Sequence, residues 1–248
     1  MSRKSSKIEY RTKLLIIFAI WWVIWAYKPW FFSDWVIENL LTVTFIVYFI
    51  ITRNSFRLSN LSYTLLLIFM CLHTIGSHYT YAEVPYENWT AALGFSINEL
   101  FGFTRNHFDR LVHFLFGFLL AYPMRELFMR VEGAKGAWSY YLPIELIMSL
   151  SMLYEIIEWA VAEVVGGDLG MAYLGIQGDI WDAHKDMALA TLGAVMGMTI
   201  VAFVNRHYQR DFGREFSKSL KVKDKVPLGE VKLKELKELK NNQSKRSD

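Results

Sequence analysis

Acidic residues and histidines recur in four short stretches of this sequence, at spacings that a helix turns to one face. The stretches are Gly76-Ser-His-Tyr-Thr-Tyr-Ala-Glu-Val-Pro85, Asn106-His-Phe-Asp-Arg-Leu-Val-His113, Tyr154-Glu-Ile-Ile-Glu-Trp159 and Gln177-Gly-Asp-Ile-Trp-Asp-Ala-His-Lys-Asp186. Asp109 and His113 are four apart, Glu155 and Glu158 three apart, and Asp179, Asp182 and Asp186 follow i, i+3, i+7. Each set shares a helical face. Carboxylates joined by one or two histidines can do acid–base chemistry or hold a divalent cation such as Mg, Mn or Zn. A helix-locking network is the bland counterpart, with Arg110 and Lys185 neutralising the acids. The acids outnumber those bases, which favours a polar binding pocket.

The elements that must position these residues are apolar and long. The chain has 248 residues, 53% hydrophobic and 16% aromatic. Its apolar residues fall into runs of near-membrane length rather than alternating with charge. Six segments are read as spans: Leu14 to Tyr27, Trp35 to Thr52, Leu61 to His78, Phe108 to Met124, Leu142 to Val161 and Met187 to Val204. At 1.5 Å per residue about 20 residues cross a hydrocarbon core of about 30 Å, so several of them only just span. The N-terminus shows no small-residue cleavage site, and the first run reads as a retained anchor. Cys71 is the only cysteine and lies within an apolar run, so no intramolecular disulfide forms.

Basic residues orient the spans. Arg3, Lys4, Lys7, Arg11 and Lys13 precede the first; Arg53 and Arg57 separate the second and third. Arg125, Arg130 and Lys135 separate the fourth and fifth; Arg206, Arg210, Arg214 and many lysines follow the sixth. The opposite loops hold only Lys28, Arg105, Arg110 and Lys185, mixed with acids. The positive-inside rule then puts both termini in the cytoplasm and all four stretches at the extracytoplasmic face. Glu155 falls about 9 Å inside its span. There an ionised carboxylate costs about 2.5–3.5 kcal/mol unless it meets a partner or a polar cavity.

Several features are read as packing or anchoring. His73 lies mid-span as a hydrogen-bonding contact between helices. Gly193-Ala-Val-Met-Gly197 permits close helix approach within the chain. Trp30, Trp35, Trp159 and Trp181 suit an interfacial belt. Val231 to Lys240, with Leu233, Leu236 and Leu239, reads as a short amphipathic helix in a Lys-rich tail that could meet anionic lipids. No phosphate-binding Gly loop, nucleophile elbow or zinc-protease signature is present, and nothing points to nucleic acid.

The four stretches, the last extended back to Leu174-Gly-Ile, resemble the YjdF-like family of bacterial inner-membrane proteins over most of residues 14 to 204. The resemblance implies the membrane fold and supplies no reaction. Asp109-Arg-Leu-Val-His113, the span bearing Glu155, and the Gly-rich run from Asp182 to Gly197 are similar to VanZ-like proteins, which are associated with the cell envelope. Lys185-Asp186-Met187 and a second acid, Glu158, depart from that pattern.

The expected architecture is all-α: a polytopic six-helix membrane bundle in the plasma (inner) membrane. It comprises a basic cytoplasmic tail (1–13), a membrane domain (14–204) and a cytoplasmic Lys-rich tail (205–248). The expected function is binding of a polar or lipid-linked envelope ligand at an extracytoplasmic site, with hydrolysis as the chemistry such a site offers. A proton- or cation-coupled transporter and a structural protein are the alternatives. Candidate catalytic groups are Asp109, His113, Glu155, Glu158, Asp182 and Asp186. His78, Glu83, Asn106, Arg110, Gln177, Asp179, Trp181 and Lys185 are candidate ligand contacts. His78, His113, Glu155, Glu158, Asp182 and Asp186 are candidate metal ligands.

Overall fold

A computed structural model describes residues 9–52, 55–166, 177–208, 212–222 and 228–247. Residues 174–176, which open the last resemblance stretch, and Arg3, Lys4, Lys7, Arg53 and Arg210 lie outside the described residues. Those described fold entirely as helices and connecting segments: α1 (Tyr10–Ala26), α2 (Phe32–Thr52), α3 (Asn60–Tyr79), α4 (Tyr86–Ala91), α5 (Ile97–Phe101), α6 (Phe108–Val131), α7 (Trp138–Val165), α8 (Asp182–Tyr208), α9 (Phe212–Ser219) and α10 (Leu228–Ser247). The long helices overrun the apolar segments into polar flanks, because hydropathy marks the lipid-matched part of a helix and hydrogen bonding continues past it.

Four of the described helices, α2, α3, α6 and α8, are long and apolar enough to cross a membrane. The chain is thus an all-α membrane protein. Helix α1 is shorter, at 17 residues. Helix α7 is long, at 28 residues, and carries Glu145, Glu155, Glu158 and Glu163.

Helix α6 is the axis of the bundle, packed most closely on α8 and also on α3 and α7, while α1 and α2 lie against α3. Small residues explain the tight α6–α8 contact. A Cβ on Gly117 would lie 1.8 Å from the Ala190 carbonyl oxygen, and one on Gly193 would lie 2.0 Å from that of Phe114. Gly197 faces the Phe118 carbonyl in the same way, at 2.8 Å. The backbones touch, as small-residue stripes allow in lipid. Gly193 and Gly197 therefore serve contacts within the chain.

Helix ends are fixed by specific caps. Ser59 caps α3 by accepting from the Ser62 amide. Glu126 of α6 then accepts from the Ser59 amide at 2.9 Å and the Ser62 hydroxyl at 2.7 Å, tying the two helices at this end. At the other end of α3, Thr80 adopts a left-handed conformation with φ 59°, and the Tyr81 amide donates to the Gly76 carbonyl at 2.8 Å. The chain folds back, and the Tyr81 ring covers Gly76, where any Cβ would sit 2.5 Å from it. That return sets the Tyr81 hydroxyl on Nδ1 of buried His73.

The predicted tail helix over 231–240 lies within α10, where Leu233, Leu236 and Leu239 are exposed. Helix α9 returns to the start of α7, where the Ala137 amide donates to the Ser219 hydroxyl at 2.8 Å.

Candidate functional site

The α6–α8 contact carries two stripes with it. Asp109, His113 and Gly117 lie at i, i+4, i+8 on α6; Asp182, Asp186 and Ala190 do so on α8. Residues at this spacing stack on one helical face. Bringing Gly117 against Ala190 therefore brings the acids of α8 beside Asp109 and His113. Helix α7 adds Tyr154, Glu155 and Glu158, and α2 adds Glu38, all at the same end of the bundle. The acids divide into two sets with different surroundings.

The first set is an ion-pair network. Asp182, 4% exposed, receives Arg105 on one oxygen and Arg110 on the other, each at 2.9 Å. Asp179 binds Arg110 and Lys185 and lies 3.9 Å from Arg105. Its carboxyl is held well below the usual range, first by the Lys185 ammonium, then by the Trp181 amide and Arg110. Asn106 and Gln177 bind the flanking loops together. The Asn106 amide donates to the Gln177 side-chain oxygen at 3.0 Å, and its side chain donates to the Val84 carbonyl at 2.8 Å. Asn106 also accepts from the Phe108 amide at 2.9 Å, taking up the first free amide of α6. Of the expected ligand contacts, Asn106, Arg110, Gln177, Asp179 and Lys185 lie in this network. Trp181 is exposed, with its ring edge against His184.

The second set contains His113 but, among the described residues, no Lys or Arg in a direct ion pair; Arg105 and Arg110 act on it only at longer range. One ligand atom each from Asp109, His113 and Asp186 lies within 4.8 Å of the others. His113 Nε2 stands 3.6 Å from Asp109 Oδ1 and 3.5 Å from Glu155 Oε1, too long for good hydrogen bonds and suited to an intervening atom. Asp186 is only 2% exposed, and its Oδ1 has no hydrogen-bond partner; neither has the buried Oε1 of Glu155. Glu155 and Glu158 lie one turn apart on α7, with their charges close to each other. The Tyr154 hydroxyl reaches both Glu158 and Glu38, donating to Glu38 at 3.2 Å. Among the described residues, no Lys or Arg forms an ion pair with Asp109, Glu155, Glu158, Asp186 or Glu38; the nearby cations are engaged by Asp179 and Asp182. Carboxylates this close and this dry cannot all be ionised unless a cation or protons join them.

A cavity of about 580 Å³ opens directly beneath this set, between α2, α3, α6 and α7. Asp109, His113, His73, Tyr81 and Tyr154 lie in its wall, and most of the remaining lining is Leu and Phe.

His78 and Glu83 are placed apart from this convergence. His78 Nδ1 meets the Trp25 carbonyl at 2.7 Å and packs edge-on against Tyr79, joining α1 to α3. Glu83 is exposed. Glu38, Tyr81, Tyr154 and Arg105 were not among the candidates drawn from sequence. Glu38 carried a usable signal, an acid one turn inside an apolar span; the other three depend on how the chain folds back and pairs.

The family model described as "Predicted membrane protein (DUF2238)" matches residues 10–207. The chain is 33% identical over 181 residues to "Inner membrane protein YjdF" of Escherichia coli (strain K12), an alignment covering 73% of this chain and 81% of that protein. The match extends over the stretches that carry the YjdF-like resemblance. No solved structure matches the chain. With its apolar helices embedded in the bilayer, it is a multi-pass protein of the plasma (inner) membrane.

Proposed function

This chain belongs to the DUF2238 family of predicted membrane proteins, and on that premise we propose that it binds the polar part of an envelope ligand, together with a divalent cation. The centre is Asp109, His113 and Asp186, flanked by Glu155 and Glu158. Six spans carry it: α1 and α7 join the four longer apolar helices, with the acids of α7 at the centre turned inward. Both termini are cytoplasmic, because Lys and Arg crowd the loops on that side. The membrane domain runs from 14 to 204, between a basic tail (1–13) and a Lys-rich tail (205–248). The acidic end then faces the envelope.

The observation that carries the proposal is the division of the acids. Were the whole cluster a lock between helices, its bases would be shared among all the carboxylates. Instead Arg105, Arg110 and Lys185 go to Asp179 and Asp182, while Asp186 keeps a buried oxygen without a partner beside Asp109 and His113. Two carboxylates and an imidazole are a donor set that Mg, Mn and Zn accept. A cation there can also lower the pKa of a bound water. Asp109, His113 and Asp186 would hold the cation, and Glu155 or Glu158 beside them would take a proton from the water it activates; that is the hydrolytic chemistry such a site would supply. Transport is less well supported, because away from this end the cavity wall is mostly apolar and offers no polar path onward.

Thermal unfolding of the purified protein with and without Mg, Mn or Zn tests the reading. One of the three stabilises the wild type, by about 2.7 kcal/mol at a hundred times the dissociation constant. His113→Gln and Glu155→Gln fold and lose most of that response. A wild type indifferent to all three cations contradicts the proposal.

A further inference from the structure

We infer that the ligand of this centre is a single-chain amphiphile: its hydrocarbon tail fills the cavity, and a phosphate-class head meets the cation at the Asp109–His113 end. The inference rests on the preceding reading of the centre and adds the substrate class. The cavity's shape and lining support a tail. Along α6 its wall runs from Asp109 to Leu127, about 27 Å at 1.5 Å per residue, nearly the thickness of a hydrocarbon core, about 30 Å. Its charged and imidazole groups, Asp109, His113 and His73, stand towards one end. Beyond them α6 presents Phe116, Leu120, Pro123, Met124 and Leu127. At roughly 30 Å³ per heavy atom, water's share of its liquid, 580 Å³ holds about 20 heavy atoms, the size of one chain with its head.

The way in is lateral. Tyr48 of α2 and Leu153 and Ile157 of α7 line the cavity and are also exposed on the bundle's flank. Helix α2 leans on α3, and α7 on α6 and α8. Towards the acidic end the Tyr154–Glu38 contact bridges α2 and α7. The gap below that bridge faces the bilayer, so a tail enters from lipid without crossing water. The head follows from charge. Carboxylates not paired with Lys or Arg repel a bare anion, whereas a cation held by three protein atoms keeps positions free for phosphate oxygens.

The test uses the full chain in lipid nanodiscs, with hexadecyl phosphate as the probe and native mass spectrometry as the readout. Wild type takes up one hexadecyl phosphate per chain with Mn²⁺ present, and at least tenfold less without it. Leu127→Trp, which fills the cavity about 21 Å along α6 from His113 at 1.5 Å per residue, binds at least tenfold less yet keeps its Mn²⁺-dependent rise in melting temperature. Leu146→Phe is the milder substitute should that variant not fold. Equal uptake by wild type and the filled variant overturns the inference, as does preference for hexadecyltrimethylammonium or a two-chain phosphatidic acid; an intact Mn²⁺ response would then leave the centre standing. No Mn²⁺ response in the wild type removes the centre itself.

Discussion

Asp182 and Asp186 stand one turn apart on α8, and their surroundings make opposite demands. Asp182 pairs with two guanidinium groups and is buried. Replacing it with Asn removes the acid shared by Arg105 and Arg110 and leaves Asp179 as their remaining acid, for which a loss of about 1–3 kcal/mol is expected in denaturant or thermal unfolding. Asp186 adds negative charge to a cluster whose acids pair directly with no Lys or Arg among the described residues. Asp186→Asn should leave cation-free stability unchanged or raised, measured in the same way. Equal losses in the two variants would mean one continuous lock. Asp179 predicts a pH effect. Its folded-state pKa is depressed, so its stabilisation is complete above the ordinary aspartate value of about 3.9 and is lost as pH falls below it. The melting temperature of the wild type should drop more steeply below pH 4 than that of Asp179→Asn. Sequence spacing put Asp179, Asp182 and Asp186 on one stripe but not in two environments. Their separation depends on Arg105, which reaches α8 from the loop before α6.

At the scale of elements, the small-residue stripe governs whether the centre assembles. A methyl group on Gly193 meets the Phe114 carbonyl at 2.0 Å, so Gly193→Ala must push α8 off α6. The expected loss is about 1–3 kcal/mol, and Asp186 moves away from Asp109. Gly213→Ala, where a Cβ meets nothing within 4 Å, should shift stability by less than about 0.5 kcal/mol. Melting curves of both variants, with and without Mn²⁺, decide the matter; a normal cation response in Gly193→Ala would detach the centre from this contact. The stripe was legible because glycines four apart in an apolar run have few other uses. The fold-back of Tyr81 over Gly76 was not, since it needs left-handed backbone at Thr80 and a buried histidine to receive the hydroxyl. Helices α4 and α5 in the long loop were equally hidden, being too short for hydropathy to mark.

For the whole molecule, the membrane class and the helical architecture were legible from runs of apolar residues alone. Length and hydropathy mark four spans among the described helices; α1 is short and α7 carries acids, so the same criteria leave those two out. The charge distribution predicts the topology proposed above. In a Cys71→Ser background, a cysteine at Asn88 should react with an impermeant maleimide from outside the cell and one at Ser217 should not. Labelling at 217 would invert the molecule and turn the acidic end to the cytoplasm.

The central claim is that the bases lock one set of acids and leave the other for a cation, and metal stoichiometry tests it most directly. Purified wild-type protein is dialysed to equilibrium against a Mn²⁺ series and the bound metal is measured by elemental analysis. One saturable Mn²⁺ per chain is expected, lost in Asp186→Asn. Absence of saturable binding, or an equal metal content in Asp186→Asn, would contradict it.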